Sequence, residues 1–582
     1  MKKFFKYVFA TIVGIMIFGF LQILIIVGII GAMAGMSESP VVVKENSVFE
    51  LNLKGVLVER SNDDFSTRML SVLNSSTEQI ALNDILNSIK KAENNPNISG
   101  IYLKIGIFSA SPASVQEIRK ALEDFKKSGK FVVSYADVYG NGTYYLASVS
   151  DKVFLNPQGM VGLSGLNSST IFFKNMLDKI GVKVQVFKVG TFKSAVEPFI
   201  DTKMSDANRL QMTELTSSIW NNMLQAISVS RDISVDNINA FIDEGKFFDE
   251  AQIALNERFI DSLIYESEIK NILEARTKKD YKSVSLSEMR RVPEKKNTAK
   301  DKIAVFYAIG EIDGSGTGSG IVSEKVAADL IKLADDKEIK AVVLRVNSPG
   351  GSAYGSEQIW HAIELLKAAK KPVVVSMGDV AASGGYYISC SADAILAQPT
   401  TITGSIGIFG LLPDAQGLLN KIGLNFESVS TNKFSDLGNA SRPMTDSEKH
   451  LIQKMVERGY ETFVKRCADG RNMSIEDIKK LAEGRVYSGI DAKKLGLVDE
   501  LGTLQDAIRI AAEKAKITEY QLVDYPKQKD FFTQLMESFS TSMETKILKN
   551  RLGEHYYYFE NMQNVQNHFG IRAFMPYQIF VD

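Results

Sequence analysis

The sequence predicts an α/β protein that is built from a tandem duplication and preceded by one transmembrane helix. Three observations lead to this fold class: one segment recurs later in the chain, each copy alternates strands with helices, and a long apolar run follows the N-terminus. A length of 582 residues also exceeds what one hydrophobic core usually supports, so two or more globular domains are expected.

The duplication is visible in the sequence itself. Ser134–Pro157 aligns without gaps on Ser376–Pro399, at the spacing that separates position 141 from position 383. Two further pairs of segments follow the same alignment, with a slip of one residue upstream: Val161–Gly165 with Thr403–Gly407, and Ile98–Lys104 with Ile339–Arg345. Self-similarity at a fixed spacing indicates a repeated structural unit. The chain is therefore predicted to contain two copies of one unit.

Each copy has the same order of predicted elements. An apolar strand leads to a loop, a helix with apolar residues at helical spacing, a β-rich run, a Gly-rich turn, a short helix and a further strand. Alternating strands and helices predict a stacked α/β architecture. We therefore expect a first repeat over residues 45–288, a linker over 289–302 and a second repeat over 303–525. The tail, 526–582, has no counterpart in the first copy, and the sequence predicts no role for it.

The N-terminus predicts a membrane anchor over residues 1–37. Three lysines precede an apolar run from about Val8 to Gly35, which is long enough to cross a bilayer with some tilt. Ala32–Ala34 resembles a signal-peptide cleavage site, but the run is about twice the usual length of a secretory apolar core, so retention is favoured. The lysines should stay cytoplasmic, which places the remaining chain on the extracytoplasmic side of the inner (cytoplasmic) membrane.

Composition argues against several function classes. A formal net charge of −1 gives no electrostatic basis for binding nucleic acid. Two cysteines and four scattered histidines form neither a disulfide framework nor a metal-binding cluster, so no metal and no cofactor are expected. Gly314–Gly320 follows a strand but lacks the Gly-Lys-Ser/Thr sequence of a phosphate-binding loop, so we expect a mobile loop there.

Candidate catalytic residues concentrate in the second copy. Asn347–Ser352 places two glycines after a buried strand, where backbone N–H groups can approach a ligand closely. Ser383 opens a short helix whose N-terminus favours developing negative charge, and Gly384 follows it. Ser405, within Thr403–Gly407, adds a hydroxyl after the next strand. Any one Gly-Gly turn could simply join a strand to a helix, but several at corresponding strand ends favour a site.

A nucleophilic serine needs a general base, and the two copies hold complementary halves of such a pair. His361 is the histidine nearest to Ser383 in sequence, but it lies in a helical run and is expected on a solvated helix face. Lys193, in the first copy, has small and apolar neighbours and aligns with Ser435, whereas Ser383 aligns with Asn141. One copy lacks the hydroxyl and the other lacks the lysine, which predicts one composite site across the repeats.

The motifs RVNSPGGS, GDVAASGGYY, TGSIG and GTFKSAVEP resemble those of the signal peptide peptidase A (protease IV) family, in its long, duplicated, membrane-anchored form. The resemblance reaches to about residue 525. It implies a crotonase/Clp-protease-like fold of ββα repeats, a membrane-bound serine endopeptidase that degrades signal peptides and other hydrophobic peptides, and a homo-oligomer, a tetramer, on the bilayer. It also implies a role for each site residue: Ser383 as nucleophile, Lys193 as general base, Ser405 as the group that orients the lysine, and the Gly351 and Gly384 amides as the oxyanion hole.

A Ser/Lys pair sets a physical requirement. The pKa of a free lysine is about 10.4, whereas a general base at neutral pH needs a pKa of roughly 7–8, so Lys193 must lie in a dry pocket. Two alternatives stay open at this point. One is an acyl-CoA hydratase or isomerase, which would use backbone N–H groups around a thioester oxygen, and the other is a non-catalytic membrane scaffold. The predicted anchor and the paired Lys193 and Ser383 weigh against them.

Overall fold

A computed structural model describes the following parts of the chain: 40–60, 79–278, 280–294, 297–314, 320–527, 570–575 and parts of 4–22. Most of the predicted anchor, the centre of the Gly314–Gly320 loop and most of the tail lie outside these residues. Within the described residues, no helix combines the length and the apolar character needed to cross a membrane.

The first repeat contains strands β1–β8 and helices α1–α10. The strands are β1 (Ser47–Val58), β2 (Gln79–Ala81), β3 (Ile98–Ser109), β4 (Phe131–Tyr139), β5 (Lys152–Val161), β6 (Lys183–Lys188), β7 (Ser262–Leu263) and β8 (Lys282–Ser285). The helices are α1 (Leu82–Asn94), α2 (Pro112–Lys127), α3 (Asn141–Ala147), α4 (Lys174–Ile180), α5 (Glu197–Ile200), α6 (Asp206–Arg231), α7 (Val235–Asp243), α8 (Ala251–Asn256), α9 (Ile269–Thr277) and α10 (Leu286–Arg290). Short 3₁₀ turns lie at Ser194–Val196, Lys246–Phe248 and Glu266–Glu268.

The second repeat contains strands β9–β18 and helices α11–α18, and a last strand, β19 (Gly570–Phe574), lies in the tail. The strands are β9 (Lys302–Ile309), β10 (Ile339–Ser348), β11 (Gly350–Ser352), β12 (Val373–Ala382), β13 (Ala394–Ala397), β14 (Ile402–Gly404), β15 (Phe409–Asp414), β16 (Val486–Ser488), β17 (Glu500–Leu501) and β18 (Gln521–Tyr525). The helices are α11 (Ser323–Asp335), α12 (Ala353–Ala368), α13 (Gly384–Tyr387), α14 (Gln416–Lys421), α15 (Asp446–Arg471), α16 (Ile475–Leu481), α17 (Gly489–Lys494) and α18 (Leu504–Ala515).

Each repeat builds its own sheet, and the two sheets are of the same, mainly parallel kind. The first has the order β2-β1-β3-β4-β5-β7, with β8 beside β1. The second has the order β16-β14-β12-β10-β9-β18, with β13 joining β12 to β17. The pairs are parallel except for β14 with β16. A central strand such as β10 is therefore apolar along most of its length (IKAVVLRVNS), as is typical of a parallel strand covered on both faces. The predicted α/β duplication is confirmed.

Buried polar contacts fix one repeat against the other. Arg345 on β10 pairs with Glu59 and, at 2.7 Å between Nη2 and Oε2, with Glu117 of the first repeat. None of these three side chains is more than 4% exposed. Asp379 accepts hydrogen bonds from the backbone N (2.8 Å) and the Oγ (2.9 Å) of Ser114. Because a buried charge that loses its partner is strongly destabilising, these contacts hold the repeats in one relative position.

A four-stranded antiparallel sheet is shared between the copies, in the order β11-β19-β15-β6. Strand β6 belongs to the first repeat and β15 to the second, and their register runs from Lys183 opposite Asp414 to Lys188 opposite Phe409. Because β6 ends where β15 begins, the loop that follows β6 lies beside the loop that precedes β15. This pairing brings Lys193 of one copy to Ser405 of the other.

Candidate active site

Ser383 lies in a sharp turn between β12 and α13. Its φ of 55° and ψ of −115° fall in a region that non-glycine residues rarely adopt. The turn is held by a hydrogen bond from the Ser383 N–H to the carbonyl of Gly404 (2.8 Å). The side chain is fully buried. Backbone strain of this kind is concentrated at functional sites, where surrounding structure maintains it.

Lys193 reaches Ser383 from the other repeat of the same chain. Its Nζ lies 2.9 Å from the Oγ of Ser383, 3.0 Å from the Oγ of Ser405 and 3.1 Å from the Ser405 carbonyl oxygen. The lysine is only 1% exposed. A neutral amine has two N–H donors and one lone pair, so it can donate to both Ser405 oxygens and accept the Ser383 hydroxyl proton.

Burial lowers the pKa of Lys193 to about 7, and it is the sole cause of that shift. The aromatic ring of Phe409 has its centroid 5.9 Å from the Nζ. Desolvation penalises the charged ammonium without penalising the neutral amine. Near neutral pH a large fraction of Lys193 is therefore unprotonated and able to accept a proton.

Ser405 is held in a second strained turn. Its φ is 51°, and its N–H donates to the carbonyl of Arg485 (2.6 Å). The neighbouring Gly484 lies directly against the lysine stem, since a Cβ on Gly484 would come within 2.7 Å of the Lys193 Cα and Cβ. Gly484 also has a φ of +79°, so a larger residue there would be strained and would collide with the lysine. Sequence reasoning missed Gly484, because one glycine in the run EGRVYSG is a weak signal.

A hydrogen-bonded network fixes the Lys193 loop from behind. The Nε2 of Gln211 on α6 donates to the Oγ of Ser194 (2.8 Å) and to the carbonyl of Phe192 (3.1 Å). Glu197 accepts a hydrogen bond from Asn208 at 2.9 Å. These polar side chains are buried and satisfied by one another, which positions the lysine without supplying a charge close to its Nζ. Polar residues scattered along a helix and a loop gave no sequence signal for this role.

The two-glycine loop lies against the nucleophile turn. Gly350 and Gly351 have φ values of 101° and 151°. A Cβ on Gly351 would lie 2.1 Å from the Ile312 carbonyl oxygen, so only glycine fits there. A Cβ on Gly350 would lie 2.6 Å from the Gly384 backbone N, which places that amide next to the loop. The arrangement can surround a developing negative charge with backbone N–H groups.

The vacated positions have become ordinary structure. Asn141, the counterpart of Ser383, begins α3, and its Oδ1 accepts hydrogen bonds from the N–H groups of Ser164 (3.0 Å) and Gly165 (3.2 Å). Ser435, the counterpart of Lys193, lies in an exposed loop, and His361 is exposed on α12. The structure therefore brings Lys193, Ser383 and Ser405 together and leaves His361, the alternative base, on an exposed helix face.

A cavity of about 390 Å³ opens beside the two-glycine loop. Much of its lining is apolar and comes from both repeats and the tail: Pro112, Ile309, Pro349, Val380, Ile402 and Phe574. Glu311 and Asp379 also line it, and burial raises the pKa of each carboxyl. The space is large enough to receive several side chains of an apolar ligand.

Three known proteins that resemble this chain over more than four-fifths of its length are proteases. The profile of peptidase family S49 matches residues 124–280 and 365–518, once in each repeat, and that described as Clp protease matches 294–401. Protease 4 of Salmonella typhi is 36% identical over 518 residues, covering 85% of this chain and 83% of that protein. Protease 4 of Haemophilus influenzae is 36% identical over 521 residues, covering 86% and 84%. The chloroplastic serine protease SPPA of Arabidopsis thaliana is 33% identical over 488 residues, covering 82% and 70%. The Clp-protease-like fold is thereby confirmed.

Proposed function

The chain belongs to peptidase family S49 and is a serine protease, and from this premise we propose that it cleaves peptides with a Ser/Lys dyad. Ser383 is the nucleophile, Lys193 the general base and Ser405 the residue that orients the lysine. Membership of this protease family argues against both alternatives, an acyl-CoA hydratase or isomerase and a non-catalytic scaffold. The observation that carries the proposal is the 2.9 Å contact between the Nζ of Lys193 and the Oγ of Ser383, both buried.

In the acylation step the neutral Lys193 takes the hydroxyl proton while the Ser383 Oγ attacks the scissile carbonyl carbon. Negative charge develops on the carbonyl oxygen, and the backbone N–H groups of Gly351 and Gly384 stabilise it. The lysine then gives its proton to the leaving amine, the C–N bond breaks, and an ester links the peptide to Ser383. The carbonyl oxygen and the Oγ of Ser405 both lie within hydrogen-bond distance of the Lys193 Nζ. They can accept its two N–H groups, which leaves the nitrogen lone pair facing the Ser383 hydroxyl.

Deacylation repeats the same chemistry with water. Neutral Lys193 removes a proton from a water molecule, which attacks the ester carbonyl, and the amine returns a proton to the Ser383 Oγ as the ester breaks. In both halves of the cycle the Lys193 amine first takes a proton from the nucleophile and then gives one to the leaving group. The lysine must therefore be deprotonated at the start of each step, which its low pKa permits.

Labelling with a serine-reactive fluorophosphonate tests the dyad. We expect the wild-type chain to be labelled, Ser383→Ala to be unlabelled, and Lys193→Ala to be labelled several orders of magnitude more slowly. Ser435→Ala, at the exposed counterpart of the lysine, is the matched control and should react like wild type. Equal labelling of wild type and Ser383→Ala would contradict the proposal. Mixed Ser383→Ala and Lys193→Ala chains should stay inactive, since one chain supplies both residues.

We propose hydrophobic peptides, signal peptides among them, as substrates. The apolar part of the lining of the 390 Å³ cavity next to the two-glycine loop supports this, because burying apolar side chains against it contributes binding energy. A synthetic peptide that contains the apolar core of a signal sequence should be cleaved with a higher kcat/KM than a variant with serines in that core. Equal values for the two peptides would contradict the substrate class.

We also propose that the protein is anchored in the inner membrane, with its protease domain on the extracytoplasmic side, and forms a homo-oligomer, a tetramer. The lysines before the long apolar run support the anchor and its orientation. A short exposed apolar segment of the second repeat supports an oligomer, since Ile422 (62% exposed), Phe426 (60%) and Val429 (103%) lie close together in sequence. N-terminal sequencing of membrane-extracted protein and light scattering in detergent test the two statements. A mature N-terminus at Gly35 or a monomeric mass would contradict them.

A further inference from the structure

Strand β19 fills the space between the two-glycine loop and β15. It is antiparallel to both neighbours, with Ser352 opposite Arg572 on one side and Phe409 opposite Arg572 on the other. The remaining edge of β15 is taken by β6, and Gly351 forms a bridge with Ile312. Neither β11 nor β15 therefore has a vacant edge next to Ser383 in the described part of the chain.

The register of β19 places a peptide bond beside the nucleophile. A Cβ on Gly350 would lie 2.1 Å from the Ala573 carbonyl oxygen and 2.6 Å from the Gly384 backbone N, so both atoms pack against Gly350. A Cβ on Gly384 would also lie 3.1 Å from the Ala573 oxygen. The N–H of Met575 donates to the carbonyl of Pro349 at 2.7 Å. The Ala573 carbonyl thus lies beside the backbone of Gly350 and Gly384, and Ala573 is paired with Gly351, so it is next to both residues whose N–H groups the proposed mechanism uses.

Side chains on both sides of Ala573 anchor the strand. Arg572 forms an ion pair with Glu311, whose side chain is largely buried. Ala573, Phe574 and Met575 are 0%, 8% and 2% exposed. Phe574 and Met575 line, with Lys193, the small cavity at the dyad. Phe574 and Met575 therefore lie against the lysine, and the strand is held there by apolar burial, the Arg572–Glu311 ion pair and hydrogen bonds to its neighbouring strands.

A peptide that binds to a protease as an extended strand needs free backbone edges next to the nucleophile. In this chain, β19 already uses both of those edges. We propose that residues 570–575 are an intramolecular competitor of peptide substrates, so that the cleft accepts a substrate strand only when this segment has left it. The inference rests on the proposed function of Ser383 and assigns the slot between β11 and β15 to the substrate.

This arrangement has a distinct kinetic consequence. The apparent affinity of a ligand falls in proportion to the fraction of molecules whose site is open. The competing strand therefore raises KM and leaves kcat unchanged, because the chemistry begins only after the segment has been replaced. If residues 570–575 instead completed the catalytic site, their removal would lower kcat.

The test compares the wild-type chain with a chain ending at residue 569 and with full-length Arg572→Glu. We expect KM for a fluorogenic peptide to fall about tenfold or more in the truncated chain, with kcat within twofold and faster fluorophosphonate labelling of Ser383. Arg572→Glu should change in the same direction, and a synthetic peptide of residues 570–575 should inhibit the truncated chain competitively. Arg509→Glu, which removes an exposed arginine that pairs with Glu513, is the control and should behave like wild type.

Arg572→Glu combined with Glu311→Arg should restore the wild-type KM, because the ion pair is rebuilt with its charges exchanged. An unchanged or higher KM, or a lower kcat, in both the truncated chain and Arg572→Glu would overturn the inference. Failure of the proposed function has a different signature: labelling would persist when Ser383→Ala is introduced into each of these chains. The full-length variant keeps the test valid if truncation prevents folding.

Discussion

The pH dependence of kcat/KM follows from the burial of Lys193. The profile of kcat/KM reports the ionisation of the free enzyme, in which the lysine pKa is about 7. Only the unprotonated amine can accept the Ser383 proton. We therefore expect kcat/KM to rise with pH through about 7 and to level off above pH 8, with Lys193→Arg inactive throughout because guanidinium keeps its proton.

The size of the expected change in kcat/KM follows from the pKa of Lys193. A pKa lowered from 10.5 to about 7 corresponds to roughly 5 kcal/mol of preference for the neutral amine. For one titrating group, kcat/KM at pH 5 should then be roughly 100-fold below its plateau. A solvated lysine would instead give a tenfold rise per pH unit up to about pH 10.

The assay measures the initial rate of hydrolysis of a fluorogenic apolar peptide between pH 5 and 10. The peptide concentration is kept well below KM, so that the rate reports kcat/KM. The extent of folding is checked at each pH by circular dichroism, so that unfolding is not mistaken for titration. Ser435→Ala serves again as the control and should reproduce the wild-type profile. A rate that keeps rising with unit slope past pH 9, or an active Lys193→Arg chain, would refute a buried neutral lysine as the base.

Three further substitutions probe the surroundings of the dyad. Ser405→Ala removes one of the contacts to the Lys193 Nζ and should lower kcat by about 10- to 100-fold, whereas a wild-type kcat would exclude the orienting role. Gly484→Ala places a methyl group against the Lys193 side chain and should lower kcat/KM at least about 100-fold. The control is Gly438→Ala, which introduces the same backbone strain at a φ of +86° but has open space around the new methyl group. Asn141→Ala should lower the free energy of unfolding by about 0.5–1.5 kcal/mol in urea titration, because it removes the acceptor of two backbone N–H groups, while kcat stays unchanged. Any large loss of kcat in Asn141→Ala would mean that the first copy takes part in the chemistry.

The sequence was sufficient to predict the duplication, the α/β class and the meeting of Lys193 with Ser383. Those predictions depended on alignment between the copies, which is a property of the sequence alone. The contacts of Gly484 and the position of β19 depended on packing between segments far apart in the chain, for which no periodic signal exists. Residues 570–574 are too few to display a strand pattern, and their pairing partners, at 350–352 and 409–411, are distant in sequence.

A single composite site reduces what the fold has to stabilise. A buried lysine of low pKa destabilises the folded chain below about pH 7, since the unfolded chain binds its proton freely, and this penalty disappears only as the pH rises towards 10.5. The positive φ angles at Ser383 and Ser405 add strain of about 1–3 kcal/mol each. In the first copy Asn141 instead begins a regular helix and accepts hydrogen bonds from two backbone N–H groups. A second complete dyad would double these costs, whereas the pairing of β6 with β15 lets one lysine serve one serine across the repeats.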